Sequence, residues 1–109
     1  MKTLRLQVRD QILDYAPNFS VDGLYPGMQE PVQLEFDFSE PWKSMAKVAA
    51  FYSPLGNEYP PSIIKDGKSC IVPMEALAKT SFKVQILGKG DGKPVSTTKC
   101  TVYLKGGTA

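Results

Sequence analysis

The chain has no histidine among its 109 residues. That absence removes Ser-His-Asp and Cys-His nucleophile arrangements and the commonest side-chain ligand for transition metals. Cysteine is scarce: Cys70 and Cys100 are the only two. Two thiols cannot build a four-ligand zinc site, and they do not make a disulfide-dense secreted scaffold. Both sit beside apolar residues in strand-like stretches, Cys70 before Ile71-Val72 and Cys100 before Val102. They are therefore expected to be buried free thiols packing as small hydrophobes, with a cross-sheet disulfide as the alternative. Long apolar runs are also missing. No stretch approaches the roughly 18 residues a membrane-spanning helix needs. Polar residues interrupt Met1-Lys-Thr-Leu-Arg-Leu-Gln-Val-Arg9, so this start reads as a strand and not as a secretion signal. The chain is expected to be made and kept in a cytoplasm, or assembled into something there.

What is present is turn chemistry and alternation. Nine glycines and nine prolines suit frequent turns better than long helices. Leu4, Leu6 and Val8 alternate with polar residues in a first half-buried strand. Val32, Leu34, Phe36 and Phe38 do the same in the clearest strand, 31–39. Residues 44–53 are apolar on both faces, as in a central strand. Residues 54–61 read as a loop. Ser62–Lys65 and Ser69–Val72 flank Asp66-Gly67, a hairpin signal, and 81–88 and 95–105 flank Asp91-Gly92, another. Only 73–79 has a helical flavour, with Pro73 suited to a first turn. The reading is one all-β domain: an immunoglobulin-like two-sheet β-sandwich of about seven strands with one short helical turn. Residues 1–30 form an N-terminal strand and irregular loop arm, either part of the same domain or a docking arm, with 31–105 the sandwich core and 106–109 a flexible tail.

Charge divides unevenly. Residues 1–42 carry three basic and seven acidic side chains, net −4, and residues 43–109 carry ten lysines and four acids, net +6. Solvated strand faces account for this most simply. Head-to-tail packing of copies, acidic edge against basic edge, is the next reading. A nucleic-acid partner is not expected, because such binders show arginines and exposed aromatics together. The carboxylate pairs Glu35/Asp37 and Asp10/Asp14 predict a solvent face and no catalytic or calcium role. Gly88-Lys-Gly-Asp-Gly-Lys93 resembles a phosphate loop only superficially: Leu87 stands where the first glycine is required and Pro94 where Ser or Thr is. No metal and no cofactor is expected. Aromatic residues in the loops, Tyr15, Phe19, Tyr25 and Tyr59, are the candidate interface anchors.

The succession Val48-Ala-Ala-Phe51, Ile64-Lys-Asp-Gly67, Cys70-Ile-Val-Pro73 with Glu75-Ala-Leu77, Phe82-Lys-Val-Gln-Ile-Leu-Gly88 and a threonine-led last strand from Thr97 to Leu104 resembles small immunoglobulin-like modules of tailed bacteriophages that infect Gram-positive hosts. Such modules stand at the N-termini of baseplate and fibre proteins and decorate heads. The resemblance covers roughly residues 30–105. It implies a β-sandwich, no catalysis, and attachment to viral structural proteins in several copies or as a homo-oligomer, with no membrane partner and location on the virion. It supplies no functional residues. A small intracellular inhibitor of a host factor and a carbohydrate-binding module are the rival expectations.

Overall fold

The computed structural model describes residues 1–90 and 92–104. In chain order these form β1 (Lys2–Arg9), β2 (Ile12–Tyr15), β3 (Val32–Phe38), a one-turn helix α1 (Glu40–Lys43), β4 (Ala46–Tyr52), β5 (Glu58–Ile63), β6 (Ser69–Ile71), a 3-10 turn (Met74–Ala78), β7 (Ser81–Gly90), β8 (Lys93–Ser96) and β9 (Cys100–Tyr103). The first sheet has the order β2-β1-β3-β6, and the second β5-β4-β7-β8, with β9 also pairing with β7. Alternation decides the faces. Leu4 lies opposite Leu34 and Leu6 opposite Phe36, so one face of the first sheet is continuous hydrocarbon. Phe51, Phe82, Val84 and Ile86 of the second sheet meet it, and all are buried. The fold is a two-sheet β-sandwich, as the alternation predicts.

β3 pairs with β6 in one sheet and β5-β4-β7-β8 follow one another in the other, an antiparallel arrangement throughout. The first strand departs from it, because β1 runs parallel to β3. It is an inner strand with Leu4, Leu6 and Val8 in the core, so the start of the chain is integral to the sandwich.

Both lateral seams between the sheets are stitched. On one side the Thr98 N–H donates to the Gln11 carbonyl at 2.8 Å, the Leu13 N–H donates to Thr98 Oγ1 at 3.2 Å, and the Tyr15 hydroxyl donates to the Thr101 carbonyl. On the other, Ser62 Oγ donates to the Ile71 carbonyl at 2.6 Å and Lys65 bridges Ser69. These bonds occupy edge groups that would otherwise be open to foreign strands.

Several elements differ from the sequence reading. The Asp66-Gly67 turn is present, with φ of 54° and 69°, but the strands it joins lie in different sheets. Ile64 turns into the core while Ile63 points out, and the chain crosses so that Cys70 pairs with Leu34. The expected loop 54–61 ends early, because β5 starts at Glu58 and contains Pro60-Pro61. As an edge strand it tolerates the missing N–H groups. The last strand is broken between β8 and β9. There Thr97 Oγ1 accepts from the Ile86 N–H at 3.0 Å while the Thr97 N–H donates to the Ile86 carbonyl at 3.0 Å. A side chain thus stands in for main chain and kinks the edge. About seven strands were expected, and nine segments are seen among the described residues. Asp91 and the tail 106–109 lie outside the described residues.

The helix α1 was not foreseen. Pro41 at its first turn sets the entry, and Trp42 plugs one end of the sandwich. Its ring stacks on Phe38 with centroids 6.2 Å apart, and its Nε1–H donates to the Asp10 carbonyl. The glycine-rich run gains its meaning here. A Cβ on Gly88 would stand 2.8 Å from Trp42 Cζ3 and 3.3 Å from Met45 Sδ, and one on Gly90 would stand 3.0 Å from Met45 Cε. These glycines leave room for the plug. Gly88→Ala is accordingly expected to cost about 1–3 kcal/mol of stability by overpacking, measurable as a lower urea midpoint with an unchanged slope.

Candidate interaction surfaces

The four aromatic candidates are not gathered at one place. Tyr15 and Phe19 form a pair, ring centroids 4.5 Å apart and tilted by 38°. Phe19 packs against the core, and the Tyr15 hydroxyl is committed to Thr101. Partial burial, with smaller repulsions from Cys100, Tyr103 and Asp14, pushes the Tyr15 phenol above its ordinary pKa. Tyr25 is 49% exposed. It sits in a turn that the Gly27 N–H ties to the Leu77 carbonyl at 2.7 Å. Tyr59 packs on the core and lines an end groove of about 600 Å³ with Pro26, Pro54, Leu55 and Lys79.

The carboxylates follow the exposed-face expectation. Glu35 pairs with Arg5 at 3.4 Å and Asp37 with Arg9 at 2.7 Å, forming a row across β1 and β3 on the outside of the first sheet. Among the described residues no three His, Cys, Asp or Glu side chains are grouped to hold a metal ion. Both cysteines are free and buried. Burial pushes the Cys70 thiol up to about 12. It pushes the Cys100 thiol up to about 11, with a smaller contribution from the Asp14 charge. Thiols held protonated this firmly are poor nucleophiles.

Lys47 was not foreseen as an inward residue. Its position on β4 shares the inner face with Ala49 and Phe51, and it is 5% exposed. Its Nζ donates to the carbonyls of Trp42 at 2.7 Å and Met45 at 3.0 Å and lies 4.7 Å from the Phe38 ring centroid. The ammonium therefore caps carbonyls at the end of α1. Burial pushes its pKa down.

The outer face of the second sheet is the most distinctive surface. Val48 of β4, Ile63 of β5 and Leu87 of β7 are neighbours in register. Ile63 is 70% exposed and Leu87 37%. With Ala46 and Pro94 they line a groove of about 570 Å³. Lys83 and Lys89 lie on the same outward side of β7, by its alternation. Lys99 reaches over Tyr52, 4.2 Å from its ring centroid. Apolar residues on both faces of β4 were the signal in the sequence. They read as a central strand, and β4 does lie between β5 and β7. On its outward side Ala46 is exposed and Val48 and Tyr52 are half-buried.

Charge pairing is as lopsided as charge placement. Among the described residues every ion pair joins groups within the first 43 residues: the N-terminus with Glu30, Arg5 with Glu35, Arg9 with Asp37 and Lys43 with Glu40. The lysines from Lys65 to Lys99 have no carboxylate partner among the described residues. No family model matches the chain, and no curated protein and no solved structure matches it. No helix among the described residues is long and apolar enough to cross a membrane.

Proposed function

We propose that this protein is a non-enzymatic docking module, an accessory β-sandwich that attaches to a structural component of a tailed-phage particle through protein–protein contacts. The observation that carries the docking part is the outer face of the second sheet. There an uncovered apolar strip of Val48, Ile63 and Leu87 is flanked by lysines. An apolar centre with a polar rim is the general anatomy of a protein interface. The phage part comes from the strand-by-strand resemblance of residues 30–105 to virion modules. The sandwich supports the reading by presenting this face on rigid strands, where little ordering cost opposes association.

The test is cofractionation. Particles of the phage that encodes the chain, purified on a density gradient, should contain it in stoichiometric amounts by mass spectrometry. Purified chain should also rebind particles that lack it. Absence from the particles and failure to rebind, together with tight one-to-one binding to a soluble host enzyme, would replace this reading with that of an intracellular inhibitor.

A further inference from the structure

From the placement of charge we infer that the outer face of the second sheet receives an acidic protein surface with an apolar centre, belonging to a different protein and not to a second copy of this chain. The inference rests on the docking reading above and names the partner's chemistry.

The two sheets differ in charge. The strands of the first carry Lys2, Arg5 and Arg9 against Asp14, Glu35 and Asp37, a neutral set in which two cross-strand pairs are already made. The strands of the second carry Lys47, Lys83, Lys89 and Lys93 against Glu58 alone. Lys47 is turned inward and spent on carbonyls. Lys83 and Lys89 lie on the outward side of β7, half-exposed and exposed, and have no salt-bridged carboxylate among the described residues. Glu58 shares that side opposite Tyr52, and Lys93 stands opposite Gly90 on the other side. The broad faces a second copy offers are its neutral first sheet and its own basic face, and neither complements this one. The acidic excess of residues 1–42 is mostly committed: four of its seven acids, Glu30, Glu35, Asp37 and Glu40, are bound within their own chain.

Nucleic acid fits less well than protein. Single-stranded binders use open aromatic faces as stacking platforms. Here the Tyr52 ring is covered by the Lys99 ammonium, and its hydroxyl is bonded to Gln85 Oε1 at 3.2 Å. The middle of the face is branched aliphatic, Val48, Ile63 and Leu87. Such side chains fill the desolvated centre of a protein interface, and the lysines around them steer and orient an acidic partner.

The test uses the whole chain, isotopically labelled, and three probes. The first is an amphipathic peptide bearing glutamates and leucines. It should shift amide signals centred on Val48, Ile63 and Leu87, with binding that weakens as salt rises. Lys83→Glu with Lys89→Glu should weaken it about tenfold or more, and Leu87→Ser similarly. These positions are exposed or half-exposed, and unchanged thermal melting of the variants confirms that the sandwich is intact. Absence of peptide shifts on this face overturns the inference. The second probe is single-stranded oligothymidylate, and equal shifts on the same residues would overturn it in favour of nucleic acid. The third is the chain itself: concentration-dependent mass by light scattering, abolished by Leu87→Ser, would overturn it in favour of a second copy. Rebinding to particles separates the two levels. A charge-reversed variant that still docks sinks the acidic-partner inference and leaves the docking reading standing, whereas a wild-type chain that never docks sinks the reading itself.

Discussion

Replacing Trp42 by alanine is expected to lower the stability of the fold by about 3–5 kcal/mol, the usual range for deleting a large buried aromatic. Three losses combine. The ring is 2% exposed, so its removal opens a cavity at the end of the sandwich. Its stacking on Phe38 disappears. Its Nε1–H no longer satisfies the Asp10 carbonyl, in a turn where Asp10 already sits at φ 56°. Trp42→Phe should recover most of the packing and none of the hydrogen bond, and so fall between. Chemical denaturation followed by circular dichroism measures both, since the fluorescence of the single tryptophan is lost in these variants. The packing account makes a sharper demand on the double variant. With the indole gone, a Cβ at Gly88 meets no ring, so Gly88→Ala should cost much less in the Trp42→Ala background than alone. Additive costs would mean that the two residues do not share the space the structure gives them.

The second large effect appears in alkali. The unfolded thiol of Cys70 ionises near its ordinary 9.0, while the folded one holds its proton up to about 12. Between those values the unfolded chain binds fewer protons than the folded one, so stability must fall as pH rises. The contribution is intact below about pH 9, is reduced by about 2 kcal/mol at pH 10.5 and by about 4 kcal/mol near pH 12. Cys100, pushed up to about 11, acts in the same direction over a narrower window. Lys47 opposes them. Its folded pKa is lowered, so the folded chain sheds that proton first and the burial penalty is relieved as the solution becomes alkaline. Urea midpoints at pH 8 and 10.5 should therefore drop steeply in the wild type and less steeply in Cys70→Ala. An identical pH dependence in both would show that Cys70 does not control the loss. Thiol-labelling reagents at pH 8 offer an independent reading, because both sulfhydryls should react only when the sandwich opens.

What the sequence disclosed and what it withheld have physical explanations. β1 and β3 were legible because strict alternation marks a strand covered on one side, and Leu4, Leu6, Leu34 and Phe36 all lie on the inner face. Alternation does not name the neighbour. Residues 69–71 were recognisable as a strand, but their partner is β3 and not the strand just before the Asp66-Gly67 turn. The helix α1 has only four residues, too few to display any period. Lys47 is inward because helix-end carbonyls happen to await it, a fact of tertiary structure. Gly88 and Gly90 announced themselves as turn-like, yet their reason is an indole and a thioether carried by another segment. The candidate surface was half visible: aliphatic residues on both faces of β4 were plain, and whether anything covers the second face depends on layers that no local pattern encodes. The loop aromatics were conspicuous, but two of them, Tyr15 and Phe19, spend much of their surface on each other and on the lateral seam.

That seam has a consequence for how the molecule is made. The bonds that join the first hairpin to the segment from Thr98 to Thr101 span 85 to 87 positions of a 109-residue chain. None of them can form while the C-terminal third is still inside a ribosome. Until then the first hairpin presents a bare edge, and β1 waits for β3 across a long parallel connection. Such distant pairings slow folding and prolong the life of sticky intermediates. A chain interrupted before Thr97 would keep nearly all of its hydrophobic residues and still lack its clasp. Translation that stalls there should yield aggregates.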